Sequence, residues 1–187
     1  MKFLKFVSEI GKLKDVKRTG WQLRNVSNPE SVSDHSFRLA LMAFIYAEKL
    51  GLNVEKCMKM AIIHDIEEVY TDDIATRPKE SEQSVTNKEK YEIEKSAMLK
   101  ILELLPEFKD EIFGLWEEFE NNETPESNLI NDLDKIEMIL QALEYKTNKR
   151  TVEDLKDFFI SSETKLKTET GKLLWKDIRK KYTNVII

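Results

Sequence analysis

A single cysteine, Cys57, leaves this chain without an internal disulfide framework, and a reducing cytosol is the expected compartment. Glycine and proline are also scarce. Five Gly and four Pro beside 35% charged residues favour long solvated helices over turn-rich sheet. Excess positive charge is missing as well: the net charge of -5 argues against a broad nucleic-acid or anionic-membrane surface, which clustered Lys and Arg would have to build. No apolar run is long. The longest, Leu39 to Ala47, falls well short of the roughly 18 to 20 residues that span a bilayer. The segment from Met1 to Ile10 is broken by charges and reads as an amphipathic helix without the apolar stretch of a signal peptide.

What is present suffices for one core. Over 187 residues, 41% hydrophobic content predicts a single all-α domain, a helical bundle spanning residues 1–187. Phe3, Phe6, Val7, Ile10 and Leu13 predict a first helix ending before Asp15. Residues 15 to 32 read as a connector carrying Arg18, Trp21 and Arg24. Ser31 or Ser33 caps the next helix, whose Phe37, Ala40, Leu41, Phe44 and Ala47 form one stripe before a Gly51 stop. Asn53 opens a third helix, apolar nearly all round, that ends at His64 and Asp65. A loop over about 71–87 has the size of an active-site loop. Helices are expected again over about 88–105, 108–121, 125–147, 151–160 and 163–181.

The chain has only two histidines, and both stand beside acids, as Asp34-His35 and His64-Asp65. Read blandly, each is a hydrogen-bonded core or surface group. An Asp that ends a nearly apolar helix is nonetheless costly to bury unless its charge is compensated, and a divalent cation compensates it well. A second imidazole from His35 and a second carboxylate would complete a mixed nitrogen and oxygen ligand set. Asp134, at the edge of the stripe formed by Leu129, Leu133, Ile136, Leu140 and Leu143, is placed to point inward. Glu68 follows His64 by four residues and Asp65 by three, the position for a general acid or base on the same helix face. Glu67 is expected on the wet side.

These residues resemble the H…HD…D signature of the HD-domain metal-dependent phosphohydrolases. The segments Arg18-Thr19-Gly20-Trp21, Pro29 to His35, His64 to Glu68, Thr71 to Ile74 and Leu133 to Ala142 resemble the 5'-deoxynucleotidase branch of that superfamily. The resemblance implies an all-α HD domain with a metal-centre core at about 15–147 and C-terminal helices over 148–187. It also implies hydrolysis of (deoxy)ribonucleoside 5'-monophosphates to nucleoside and inorganic phosphate, with Co²⁺ or Mn²⁺ as the ion. On it, His35, His64, Asp65 and Asp134 are metal ligands and Glu68 transfers the proton. Arg18 orients the phosphate and Trp21 packs against the sugar or base. Asp73 and Ile74 contact substrate or, with Glu68, a second cation such as Mg²⁺. Thr76 and Arg77 are further substrate contacts. Thr19 and Gly20 separate an Arg and a Trp that are neighbours in a bacterial part of the branch, and Asp72 stands where that part has Gly.

Two other readings stay open on sequence. One keeps the HD centre but changes the substrate to a nucleoside triphosphate, an alarmone or a cyclic nucleotide. The other is a non-catalytic metal- and nucleotide-binding module. Expected partners are a small-molecule nucleotide and a second copy of the chain, without nucleic acid or membrane. Stripes carrying Trp116 and Phe119, and Leu173 to Trp175, are candidate subunit interfaces.

Overall fold

Side-chain caps decide where the long helices begin. In the computed structural model, which describes residues 2–75 and 85–182, a first helix α1 (Lys2–Ile10) runs on as a 3₁₀ turn (Gly11–Lys14), and a single turn α2 (Thr19–Gln22) follows. Helix α3 (Val32–Leu50) starts at Ser31, which accepts from the Asp34 amide while Asp34 accepts from Ser31 in return. It stops at Gly51, whose φ of +66° suits a residue without a side chain. Asn53 caps α4 (Val54–Ile63), and a short α5 (Glu68–Thr71) follows the His64-Asp65 pair. Thr86 with Glu89 caps α6 (Asn87–Leu102), and α7 (Lys109–Asn121) follows. Thr124 with Ser127, and Pro125 in the first turn, open α8 (Pro125–Thr147). The last helices are α9 (Lys156–Glu163) and α10 (Glu169–Lys181).

Helix α8 is the central post. Its Leu129, Ile130 and Leu133 pack with Leu39, Ala43 and Met60 of α3 and α4. Further along, Ile136, Ile139 and Tyr145 meet Trp21, Phe159 and Trp175 of α2, α9 and α10. A third cluster joins Leu13, Val32 and Ile66 to Met98, Ile101 and Trp116. All the described residues outside the helices are turns and loops, apart from one isolated antiparallel bridge between Lys17 and Ser31. That bridge matters for the site. With Arg18 N–H donating to Glu30 O and Val32 N–H to Val16 O, it straps the Arg18 segment alongside the start of α3. Among the described residues, no helix is long and apolar enough to cross a membrane.

The structure corrects several expectations. The α3 stripe splits: Ala40 and Ala47 are buried, but Phe37, Leu41 and Phe44 face outward at 75%, 51% and 46% exposure. The core instead takes Val32, His35, Leu39 and Ala43, because the helix turns its small residues toward α4 and α8. Trp116, Phe119 and Trp175 lie in the core of the single chain, while Leu173 of the same C-terminal stripe is exposed. The two C-terminal helices start about five residues later than the periodicity predicts. Thr151 donates its hydroxyl to Arg24 O, and the amides of Lys167 and Thr168 donate to Asp132, so that backbone docks the segment rather than continuing a helix. Thr76 and Arg77 lie outside the described residues.

Asp132 is 1% exposed and receives three backbone or hydroxyl donors from Lys167 and Thr168 at 2.7–3.0 Å, which anchors α10 to α8. Gly171 lies directly over it: an added Cβ would meet Asp132 Oδ2 at 2.5 Å. Gly171→Ala is expected to cost about 1–3 kcal/mol by overpacking. In thermal denaturation this appears as a melting temperature lower by roughly 3–10 °C.

Candidate metal centre and active site

Three elements deliver the polar centre. His35 projects from the second turn of α3, His64 from the end of α4, and Asp134 from the middle of α8, and their ligand atoms all lie within 4.8 Å of one another. Both imidazoles are buried, at 0% and 2% exposure. Their rings face each other with centroids 5.4 Å apart.

Each ring has one nitrogen committed. His35 Nδ1 lies 2.5 Å from Glu137 Oε2, and His64 Nδ1 lies 3.0 Å from Ala61 O. A carbonyl can only accept, and so can the Glu137 carboxylate, which His35 and Arg38 hold ionised against the opposing effect of burial. Both Nδ1 atoms therefore carry hydrogen, and both Nε2 atoms turn inward. Neither Nε2 has a hydrogen-bond partner, although both are fully buried. His35 Nε2 instead stands 3.1 Å from Asp134 Oδ1, and His64 Nε2 stands 3.0 Å from Asp65 Oδ2. That spacing fits two ligands on one ion: atoms about 2.1 Å from a cation and at right angles to each other lie about 3.0 Å apart. The residues thus fit a divalent ion by donor type, by spacing and by their orphaned nitrogens. Asp65 joins through His64 and lies outside the set of three that meet mutually. A second set, Glu30, His35 and Glu137, also comes close together, but the 2.5 Å contact there is a hydrogen bond that orients the ring.

Electrostatics match this arrangement. Burial and Arg18 oppose a charge on His35, yet Glu137 and Asp134 outweigh them and raise its pKa to about 10. Burial also works against ionised Asp65 and Asp134, but His64 and Arg18 around the first and His35 around the second hold both well below the ordinary carboxylate range. Glu68 behaves oppositely. Its burial at 3% exposure, then Asp65 and Asp73, push it well above that range.

A cavity of about 210 Å³ joins these groups to Arg18, Trp21, Asp73, Ile74, Lys90 and Glu94. Arg18 Nη1 donates to Asp65 Oδ2 at 3.2 Å. Asp73 accepts from Thr19 N at 2.5 Å, and Thr19 Oγ1 donates to Asp73 O at 2.7 Å, tying the turn that carries Arg18 to the strand of chain after α5. Asp72 has a φ of +53°, a setting glycine adopts without strain. Trp21 touches the cavity but is 1% exposed, its Nε1–H donated to Glu30 and its ring flanked by Tyr145 and Phe158.

Sequence reasoning misplaced Glu67 and missed four residues. Glu67 is 2% exposed and meets Trp116 Nε1, so it belongs to the floor beneath the site rather than to solvent. Burial, then Asp65, raises its pKa well above the usual value. Glu137 and Arg38, which orient His35, follow Asp134 and His35 by three residues, a helical offset that could have flagged them. Lys90 and Glu94, paired at 3.0 Å, carried no signal beyond an ordinary helical offset.

The HD domain family model matches residues 10–174 of the chain. A protein of Danio rerio named 5'-deoxynucleotidase HDDC2 is 42% identical over 163 residues, covering 87% of this chain and 78% of that protein. The human 5'-deoxynucleotidase HDDC2 is 40% identical over 163 residues, covering 87% and 77% respectively. Among solved structures, a conserved hypothetical protein from Pyrococcus furiosus superposes with a TM-score of 0.76 at 34% identity, over 95% of this chain and 99% of that one. With helices, buried histidines and aspartates, and a match of this extent in agreement, the chain belongs to the HD domain family.

Proposed function

We propose that this protein is a 5'-deoxynucleotidase, hydrolysing deoxyribonucleoside 5'-monophosphates to nucleoside and inorganic phosphate, as its relatives' names state for them. The observation that carries the reading is the pair of buried Nε2 atoms without hydrogen-bond partners, facing Asp134 and Asp65, two carboxylates that line one cavity with Arg18 and Glu68. His35, His64, Asp65 and Asp134 would hold the ion, Co²⁺ or Mn²⁺ suiting their mixed donors. The all-oxygen set of Glu68, Asp73 and the Ile74 carbonyl suits a harder second ion such as Mg²⁺. A bound divalent cation supplies Lewis-acid polarisation of the phosphoryl group and of the attacking water.

The chain's own residues account for the rest. The guanidinium of Arg18 offers paired donors to a phosphate dianion and neutralises its charge away from bulk water. As the bond from phosphorus to water forms, Glu68 accepts the proton the water sheds and returns it to the 5' oxygen as the bond from that oxygen to phosphorus breaks. Asp73 keeps Arg18 in place through Thr19, while Trp21 and Ile74 wall the chamber; Thr76 completes the proposed substrate contacts. Residues 148–187 form part of the same domain in this reading, with α9 and α10 packed on α8. A cytoplasmic site of action suits the lone buried thiol of Cys57. A homodimer is proposed through the outward stripe of Phe37, Leu41 and Phe44, spaced as neighbours on one helix face.

Glu68→Gln is expected to lower kcat by about 10²- to 10⁴-fold while the content of Co²⁺ or Mn²⁺ at the His35, His64, Asp65 and Asp134 set, read by elemental analysis, stays unchanged. Unaltered phosphate release in that variant would remove Glu68 from the chemistry. Chelation should abolish turnover and lower the melting temperature; restored ion at a hundredfold its dissociation constant adds back about 2.7 kcal/mol. An identical melting curve with and without Co²⁺ or Mn²⁺ speaks against the site. Leu41→Glu should shift sedimentation from dimer to monomer, and a wild-type monomer would refute the proposed interface.

A further inference from the structure

Beyond the metal-side cavity lies a second and larger one, of about 430 Å³. The two share Arg18, Gly20, Ala75, Asp134, Met138 and Phe158, which together form a throat between an inner and an outer chamber. A ligand with its phosphate at Arg18 can extend through that throat into the outer chamber. The outer wall is built by the C-terminal part of the chain, chiefly Asp157, Phe158, Ser161 and Ser162 of α9.

Phe158 is the flat surface along this route. It is only partly buried and lines both chambers. Its ring is braced from behind: the Trp21 ring lies 4.6 Å away at 34°, and a Cβ added at Gly20 would reach the Phe158 ring edge at 3.5 Å. The Arg24 guanidinium lies 5.9 Å from the ring centroid and pairs with Asp157, the preceding residue, fixing the start of α9 against the α2 turn. Trp21 cannot serve as the platform itself, since it is 1% exposed and its polar edge is spent on Glu30.

We propose that the outer chamber receives the nucleoside part of the substrate, and that Phe158 is the specificity-determining residue on which the base stacks. The inference rests on the nucleotidase reading of the inner site and adds to it the reason for preferring a nucleotide over a bare sugar phosphate. A chamber of this volume is of the size that holds small ligands. Stacking on an aromatic face is tolerant of base identity, so Phe158 discriminates presence of a base rather than its kind.

The test uses the full-length, metal-loaded protein and compares 2'-deoxyadenosine 5'-monophosphate with 2-deoxyribose 5-phosphate. Phe158→Leu keeps an apolar side chain against Trp21 but removes the aromatic face. The expected result is a KM for the nucleotide raised about 10-fold with kcat little changed. The preference for nucleotide over sugar phosphate should fall by the same factor, and Phe158→Tyr should restore it. Equal losses on both substrates, or no change on either, would overturn the proposal. Direct binding separates the two levels of inference: equilibrium dialysis of 2'-deoxyadenosine should show retention by the wild type and weaker retention by Phe158→Leu, whether or not the wild type releases phosphate. A nucleoside bound equally by both proteins refutes the role of Phe158, while a wild type that binds nucleoside but hydrolyses no nucleotide refutes the nucleotidase reading alone.

Discussion

Two imidazole nitrogens are buried without a hydrogen-bond partner, and each points toward a carboxylate. A bare nitrogen lone pair and an ionised oxygen repel each other at 3 Å, so this arrangement is stable only with positive charge between them. The fold supplies that charge in two ways. Arg18 lies against Asp65, and the carboxylates around His35 draw a proton onto the ring. A divalent ion held there would supply the charge instead, with ligand atoms of His35, His64 and Asp134 already within 4.8 Å of one another and Asp65 joining through His64. Much of the bundle serves this juxtaposition: α3, α4 and α8 each carry part of the centre, and the shared cluster of Leu39, Ala43, Met60 and Leu133 fixes their mutual positions.

His35 shows how an interior residue is aimed. Glu137 accepts the hydrogen bond from its Nδ1–H and is held in turn by Arg38, which also reaches Gln141 and Glu144 along α8. Breaking one member of such a chain leaves a buried charge uncompensated, so the chain constrains geometry more than it adds net stability. The polar ladder from Asp134 to Glu144 thus sets α3 against α8 in the one register that brings Nε2 to the centre.

The helical class and the caps at Ser31, Asn53 and Gly51 were legible because they depend on local chemistry. The two histidines and Asp65 were legible because their neighbours made a bland reading costly. Other features depend on tertiary partners that periodicity does not name. Phe37, Leu41 and Phe44 recur at helical spacing, yet α4 and α8 approach the face with small side chains, which allows closer packing. Asp132 and Asp134 are two residues apart on the same helix and do unrelated work, one anchoring α10 and the other facing His35. Spacing alone does not separate them; the resemblance to HD proteins did. Phe158 escaped notice because its role arises only where α9 folds back over the α2 turn, and Glu67 because nothing in the sequence tells that α6 and α7 cover the end of α4.

Charge also orders events at the site. The inner chamber collects Asp65, Glu68, Asp73 and Asp134, with Glu67 and Glu94 beneath, against Arg18 and Lys90. Such a wall cannot ionise fully in a low-dielectric setting, and burial holds Glu94 at a pKa of about 7 despite its pairing with Lys90. A phosphate dianion brought to this chamber as it stands would meet a surplus of negative charge that Arg18 alone does not neutralise. Cation binding reverses the sign at the centre, lowers the cost of ionising the remaining acids and turns the chamber into an anion site. In the proposed function, affinity for nucleotide is therefore coupled to affinity for the ion, and by linkage the nucleotide would tighten the ion in equal measure.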